Sequence, residues 1–403
     1  MKTGIIHLLV FSTVLLLSFY TICSPATGVV DTTGFIGKKN IAEFKTWIDD
    51  TTGYEITQWT NTGINNHPYF TIESFIDEET AIIFSDRTGK KQLYKLSLNN
   101  GEMIQITDAS HLETGNIYFL SKFKTIYFFD ENKLYSLSIE TLKTDFIYDF
   151  SSLKFKILSF SVTCDGKFLV FSVNKKEALP GNPEYGPFAL YKFNIIAKSI
   201  IPITHDLGFN IGHVQTNPVD PDLILYCWQW DKPGRPRLVG HAPIRIWWIS
   251  IDGNNGGPVD QEYGTQRTHE TWSADGKYIS YISKYRWGPM RGNQFIGLQT
   301  IDGTENHTYD IRVSPSHQNL FKDNLHWVVD LYNDQPVLAL LRRGANKIEK
   351  VEILFRHNST LIEQDSHPHP RFSPNGKYVL FSSDRSGSPQ VYTVKINLEK
   401  NKR

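Results

Sequence analysis

Residues 367–397 read HPHPRFSPNGKYVLFSSDRSGSPQVYTVKIN, and their organisation decides the fold. The apolar run Tyr378–Phe381 follows Asn375-Gly376. It ends at Ser383-Asp384-Arg385-Ser386-Gly387, after which a second run carries Val391-Tyr392. Asn-Gly and Asp-Gly pairs supply the positive φ that tight hairpin turns need. The stretch therefore reads as one antiparallel sheet: inner strand, tight turn, apolar strand, second turn, outer strand.

The same unit recurs along the chain. It appears as THETWSADGKYISYIS from Thr268, as SFSVTCDGKFLVFSVN from Ser159 and as ESFIDEETAIIFSDRTGKKQLYKLSLNNGEMIQIT from Glu73. More divergent copies begin near Gly115, His213 and Leu325. The spacing, roughly 40 to 55 residues, is that of propeller blades. One such sheet cannot bury both of its faces, so the copies stack radially. The expectation is an all-β, seven-bladed β-propeller spanning residues 27–403. The stretch Tyr54–Trp59 should pair with the last blade as its outer strand and close the ring.

Composition agrees. Aromatic residues make up 13% of the 403, with nine Trp and nineteen Tyr, which suits strands. Lys and Arg total 42 and are balanced by 42 Asp and Glu, so no global field favours nucleic acid or a membrane surface. An anionic ligand would need a local basic site.

Lys2, the uncharged apolar run Ile5–Ile22 and Ser24-Pro25-Ala26 read as a secretory signal peptide over residues 1–26, implying a secreted or periplasmic protein. The run is also long enough for an uncleaved N-terminal anchor. Bulky Ile22 argues against a lipoprotein signal at Cys23. Cys164 and Cys227, the two remaining cysteines, make no disulfide framework and read as buried thiols.

The quoted stretch also carries chemistry. On a strand, His367 and His369 would point the same way, since side chains alternate faces. With Gln364 just upstream they offer two imidazoles and an amide oxygen, a ligand set suited to a divalent transition metal.

Five segments then resemble the oligogalacturonate lyases, pectin-degrading polysaccharide lyases. They are Asn66-His67-Pro68-Tyr69-Phe70; Gly212-His213 with Leu225-Tyr226-Cys227; Arg245-Ile246-Trp247 with Asp252-Gly253; Thr268-His269-Glu270-Thr271-Trp272; and His367-Pro368-His369-Pro370 with Phe372. The resemblance implies a propeller with a manganese-type divalent site held by His269, Gln364, His367 and His369. It also implies His213 as the base that removes the C5 proton of a uronate, and Arg245 as a substrate-binding residue. The reaction implied is β-elimination on short oligogalacturonates. Glu270, next to His269, would face away on a strand and serve as an ion-pair or supporting residue. His67 would line the same face.

One departure stands out. The strand 186–191 has no arginine where the family carries one for substrate; Arg235, Arg237 and Arg267 are candidate replacements. Trp228, Trp230, Trp247 and Trp248 read as packing between blades. Asn306-His307-Thr308 and Asn358-Ser359-Thr360 fit the N-glycosylation pattern. Two alternatives stand beside the lyase: a non-catalytic envelope propeller that binds partners, and a lyase for another uronate. No G-x-S-x-G hydrolase segment supports a serine peptidase.

Overall fold

Seven antiparallel sheets follow one another along the chain in the computed structural model, which describes residues 34–175, 186–229, 244–286, 288–311, 313–332 and 336–398. Blades 2 to 6 are four-stranded and sequential. Their inner strands are Leu112–Leu120, Lys156–Val162, Ile211–Thr216, Thr265–Trp272 and Pro315–Leu320. The expected signal segment, Trp230, Arg235 and Arg237 lie outside the described residues.

The repeated turns explain the repeated sequence. In blade 5 the Ser273 hydroxyl donates to Asp275 Oδ1 at 2.5 Å, and the Lys277 N–H donates to the same oxygen at 3.0 Å. Gly276 between them sits at φ +70°, and a Cβ there would meet Asn217 Oδ1 at 2.4 Å. The Ser-x-Asp-Gly-Lys signature is thus a side-chain-closed turn with one position that only glycine fills at no cost.

Ring closure is more elaborate than expected. Glu55–Gln58 does pair with Gln390–Lys395 of blade 7. It is not the outermost strand, however: Lys45–Ile48 pairs outside it, making blade 7 five-stranded. Just upstream, Lys39–Asn40 pairs with Met103–Gln105 on the outer edge of blade 1. One N-terminal strap therefore adds strands to both the first and last blades. Glu43 fastens it, accepting from the Asn61 and Thr62 N–H groups and pairing with Arg87 at 3.0 Å.

Seven apolar clusters fill the seven interfaces between adjacent blades. Between blades 6 and 7, for example, Val328, Leu340 and Phe355 pack against Phe372, Phe381 and Ile56. Each fully buried Leu, Ile or Phe contributes about 1.5–3 kcal/mol. Cys164 and Cys227 are both free thiols; Cys227 is buried as expected, whereas Cys164, in the turn after the blade 3 inner strand, is only half-buried. Trp247 and Trp228 pack near Phe209 (centroids at 6.0 and 4.9 Å), and Trp248 joins the cluster between blades 4 and 5. Among the described residues, no helix is long and apolar enough to cross a membrane.

Candidate active site on the propeller axis

The inner strand of blade 1 is interrupted. Asn65–Asn66 pairs with the strand Thr80–Ser85, and pairing resumes only at Phe75 with Ala81. The intervening residues enter the axis and place Tyr69 and Phe70 at its centre. The buried Phe70 ring lies 5.4 Å from His317, 5.5 Å from His269, 6.0 Å from His213 and 6.3 Å from His369, centroid to centroid. Tyr69 lies 4.8 Å from His369 and 5.8 Å from His213. Four blades thus present imidazoles to one aromatic plug. A cavity of about 650 Å³ adjoins it, bordered by His213, Gln215, Trp272 and Arg371.

Backbone irregularities aim these side chains. Register slips occur between Gly212 and Gln215, between Thr268 and Thr271, and between Pro315 and Gln318. His213, His269 and His369 all adopt left-handed backbone, with φ of +48°, +54° and +43°. Bulges of this kind re-aim side chains out of the pleat, and non-glycine residues at positive φ are uncommon.

His317, His367 and His369 form a tight trio, with candidate ligand atoms all within 4.8 Å of one another. Gln364 joins them, its amide nitrogen 3.0 Å from His369 Nε2. The convergence of His367 and His369 does not come from a strand, as the spacing predicts. Residues Gln364–Ser366 form a 3-10 turn and the strand begins only at Arg371, so the turn and the left-handed His369 bring the side chains together. His317 is the ligand candidate that sequence reasoning missed. The fourth expected member, His269, is a neighbour: its ring is 4.7 Å from that of His317, but it is not in the trio.

Burial acts on two members of the trio. Burial, reinforced by the neighbouring His317, pushes His367 and His369 below the usual imidazole range. His317 directs Nδ1 to Asp330 at 2.8 Å, and Tyr332 donates to the same carboxylate at 3.0 Å. Burial alone would raise the Asp330 carboxyl, but His317 more than offsets this and holds it below its ordinary value. With Nδ1 fixed this way, His317 presents Nε2, the usual arrangement of a metal-binding imidazole backed by a carboxylate. His269 Nδ1 and His367 Nδ1 are buried without a hydrogen-bond partner. Orphaned imidazole nitrogens in and beside the trio suit a borderline divalent cation.

A second constellation sits across the plug. His213 Nδ1 is 2.8 Å from Glu270 Oε1, and Arg245 Nε donates to Glu270 Oε2 at 3.3 Å. Glu270 is fully buried. Burial would push its carboxyl up; Arg245 and His213 outweigh that and hold it well below the usual carboxylate range. The expectation that Glu270 turns away from the site fails because the bulge at Thr268–Thr271 breaks strand alternation. Arg245 is itself buried against Glu270. Cys227 lies beside the pair, and burial pushes its thiol up.

The remaining candidates serve the frame. His67 is buried, with Nε2 2.8 Å from the His369 carbonyl. Arg267 bonds the Asp260 carbonyl and Gln299 and covers the Tyr281 ring at 4.1 Å. Arg371, which borders the cavity, pairs with Glu73 through two nitrogens, at 3.1 and 2.8 Å. The segment 186–191 indeed carries no arginine.

The seven-bladed ring is the fold of a group of polysaccharide-degrading lyases. The family model described as oligogalacturonate lyase matches residues 35–399, and the chain belongs to that family. It is 24% identical over 394 residues to the oligogalacturonate lyase of Dickeya dadantii, covering 89% of this chain and 98% of the relative. Two solved structures share the fold. An oligogalacturonate lyase in complex with manganese superposes with a TM-score of 0.80 at 22% identity, over 91% of this chain and all of the other. The oligogalacturonate lyase of Vibrio parahaemolyticus superposes with a TM-score of 0.78 at 23% identity, over 90% of this chain and 99% of that one.

Proposed function

We propose that this protein is a metal-dependent lyase that cleaves short oligogalacturonates by β-elimination. The juxtaposition of two sites carries the reading: the trio His317, His367 and His369, and the His213–Glu270 pair, both against Tyr69. Family membership supports the substrate class.

In this reading His317, His367, His369 and Gln364 hold a divalent cation, manganese being the ion in the related solved structure. His269 stands by as a neighbouring nitrogen. When bound, the cation neutralises the uronate carboxylate and so acidifies the C5 proton. His213, with Nδ1 facing Glu270, offers Nε2 as the base. The C5–H bond breaks to Nε2, its electron pair forms the C4–C5 double bond, and the C4–O bond breaks. The departing oxygen takes up a proton, and no water is added. Tyr69 and Phe70 pack between His213 and the trio and shield these groups from bulk water. Segment 186–191 lacks the family's arginine and Arg371, at the cavity edge, is held by Glu73, so carboxylate recognition would fall to other groups.

The test is turnover of digalacturonate and unsaturated digalacturonate by purified protein, with manganese or with chelator. Manganese-dependent loss of substrate with formation of the keto-deoxyuronate is expected. Metal binding without turnover of either substrate would overturn the oligogalacturonate assignment.

A further inference from the structure

We propose that Glu270 is the positioning residue of the base His213, with Arg245 serving as the countercharge of Glu270. The mechanistic consequence rests on the lyase reading above; the structural assignment does not.

Three observations carry it. First, the carboxylate of Glu270 has no exposure to water and divides its two oxygens between two side chains: Oε1 faces His213 Nδ1 at 2.8 Å and Oε2 accepts from Arg245 Nε at 3.3 Å. A buried carboxylate paired with a guanidinium is an acceptor only, so His213 Nδ1 must carry the proton facing it. The Nε2 lone pair then points away from Glu270. Second, the backbone of Glu270 is clamped. Its carbonyl accepts from Gln215 Nε2 at 2.9 Å, which ties the bulge of blade 5 to the strand that bears His213. Third, both residues sit on register slips, His213 at left-handed φ, so neither side chain would meet the other on regular strands. Two independent departures from ideal geometry converge on one hydrogen bond.

The chemistry this supports is specific. An unoriented imidazole divides its proton between two nitrogens and can swing its ring. Fixing Nδ1–H leaves Nε2 as the sole basic nitrogen. When Nε2 takes the C5 proton, the resulting imidazolium lies against a carboxylate already in place. Arg245 keeps the carboxylate compensated before that charge appears. Such pre-orientation acts on the chemical step and not on substrate affinity.

The experiment reads the imidazole directly and then the reaction. In ¹⁵N-histidine spectra of the intact protein, the His213 signals are identified by their loss in His213→Gln. The expected pattern is protonated Nδ1 and bare Nε2, disturbed in Glu270→Gln. A wild-type pattern with the proton on Nε2 overturns the proposal without any variant. In turnover assays Glu270→Gln should lower kcat by about 10²–10⁴-fold, with KM changed by less than about threefold and metal content unchanged. Glu270→Asp should recover part of the loss. A matching loss of metal would instead make Glu270 a support for the adjacent His269, and the proposal would fall. If wild-type protein shows no turnover, the lyase reading fails while the imidazole spectra still decide the assignment of Glu270.

Discussion

His67 Nε2 donates to the carbonyl oxygen of His369 at 2.8 Å, so a residue of the first blade fixes the backbone of a residue in the last. The carbonyl can only accept, which places the His67 proton on Nε2. Its Nδ1 then accepts from the Ser382 hydroxyl at 2.9 Å. Burial pushes the ring down to about 4, keeping it neutral. Replacing His67 with Phe strands two buried polar groups, at a cost of about 1–3 kcal/mol. The expected outcome is a lowered Tm together with weakened metal binding, both measurable on the purified variant. A lowered Tm with wild-type metal affinity would show that His369 does not need this support.

The ligand assignment separates two histidines. Asp330→Asn removes the carboxylate behind His317 and should weaken metal binding by about 10–100-fold. His317→Ala should lose more, and His269→Ala less. Isothermal titration with manganese ranks the three; His269→Ala as the most damaging change would return the ligand role to His269.

His213→Ala should reduce turnover by about 10²–10⁴-fold and leave bound metal unchanged. Metal content by elemental analysis and substrate depletion are read on the same sample. A coupled loss would make His213 a ligand instead of the base.

Acid stability should depend on the Glu73–Arg371 pair. Burial alone would raise the Glu73 carboxyl, but Arg371 together with the Phe75 and Ser74 N–H groups outweighs it, and its value lies below the ordinary 4.5. A depressed folded-state value means that the stabilisation is present above about pH 4.5 and is lost as the pH falls through the folded-state value. About a third of the Glu73 side chain is exposed (34%), so solvent screens the pair and it contributes about 1 kcal/mol. Between pH 6 and pH 3 the Tm of Glu73→Gln should therefore fall less than that of the wild type. Parallel Tm curves would rule out a role for this pair.

Much of the architecture was legible because one turn recurs. Asp165-Gly166, Asp275-Gly276 and Asn375-Gly376 mark three blades unambiguously, and all three glycines have positive φ. Blade 6 hides the signal. There Asn324, at φ +56°, does the work of glycine, and the inner strand Pro315–Leu320 lies upstream of where the pattern begins at Leu325. His317 was lost with that strand. Glu270 has the ion-pair role its sequence suggests but not the direction: period-two alternation holds only while register holds, and the bulge at Thr268–Thr271 breaks it. His367, His369 and Gln364 were found together by local spacing, although a turn and not a strand gathers them.

The strap that completes blades 1 and 7 sets the order in which this molecule can be finished. Lys395 meets Glu55 across a sequence separation of 340 residues, so the ring cannot close until nearly the whole chain is available. Until then the outer edge of Gln390–Lys395 and the free edge of Glu55–Gln58, itself hairpinned to Lys45–Ile48, lack each other as partners. Unpaired edges are templates for pairing between chains, and contacts this distant form slowly. The feature that makes the finished ring seamless is therefore also the place where an incomplete ring is most exposed to self-association.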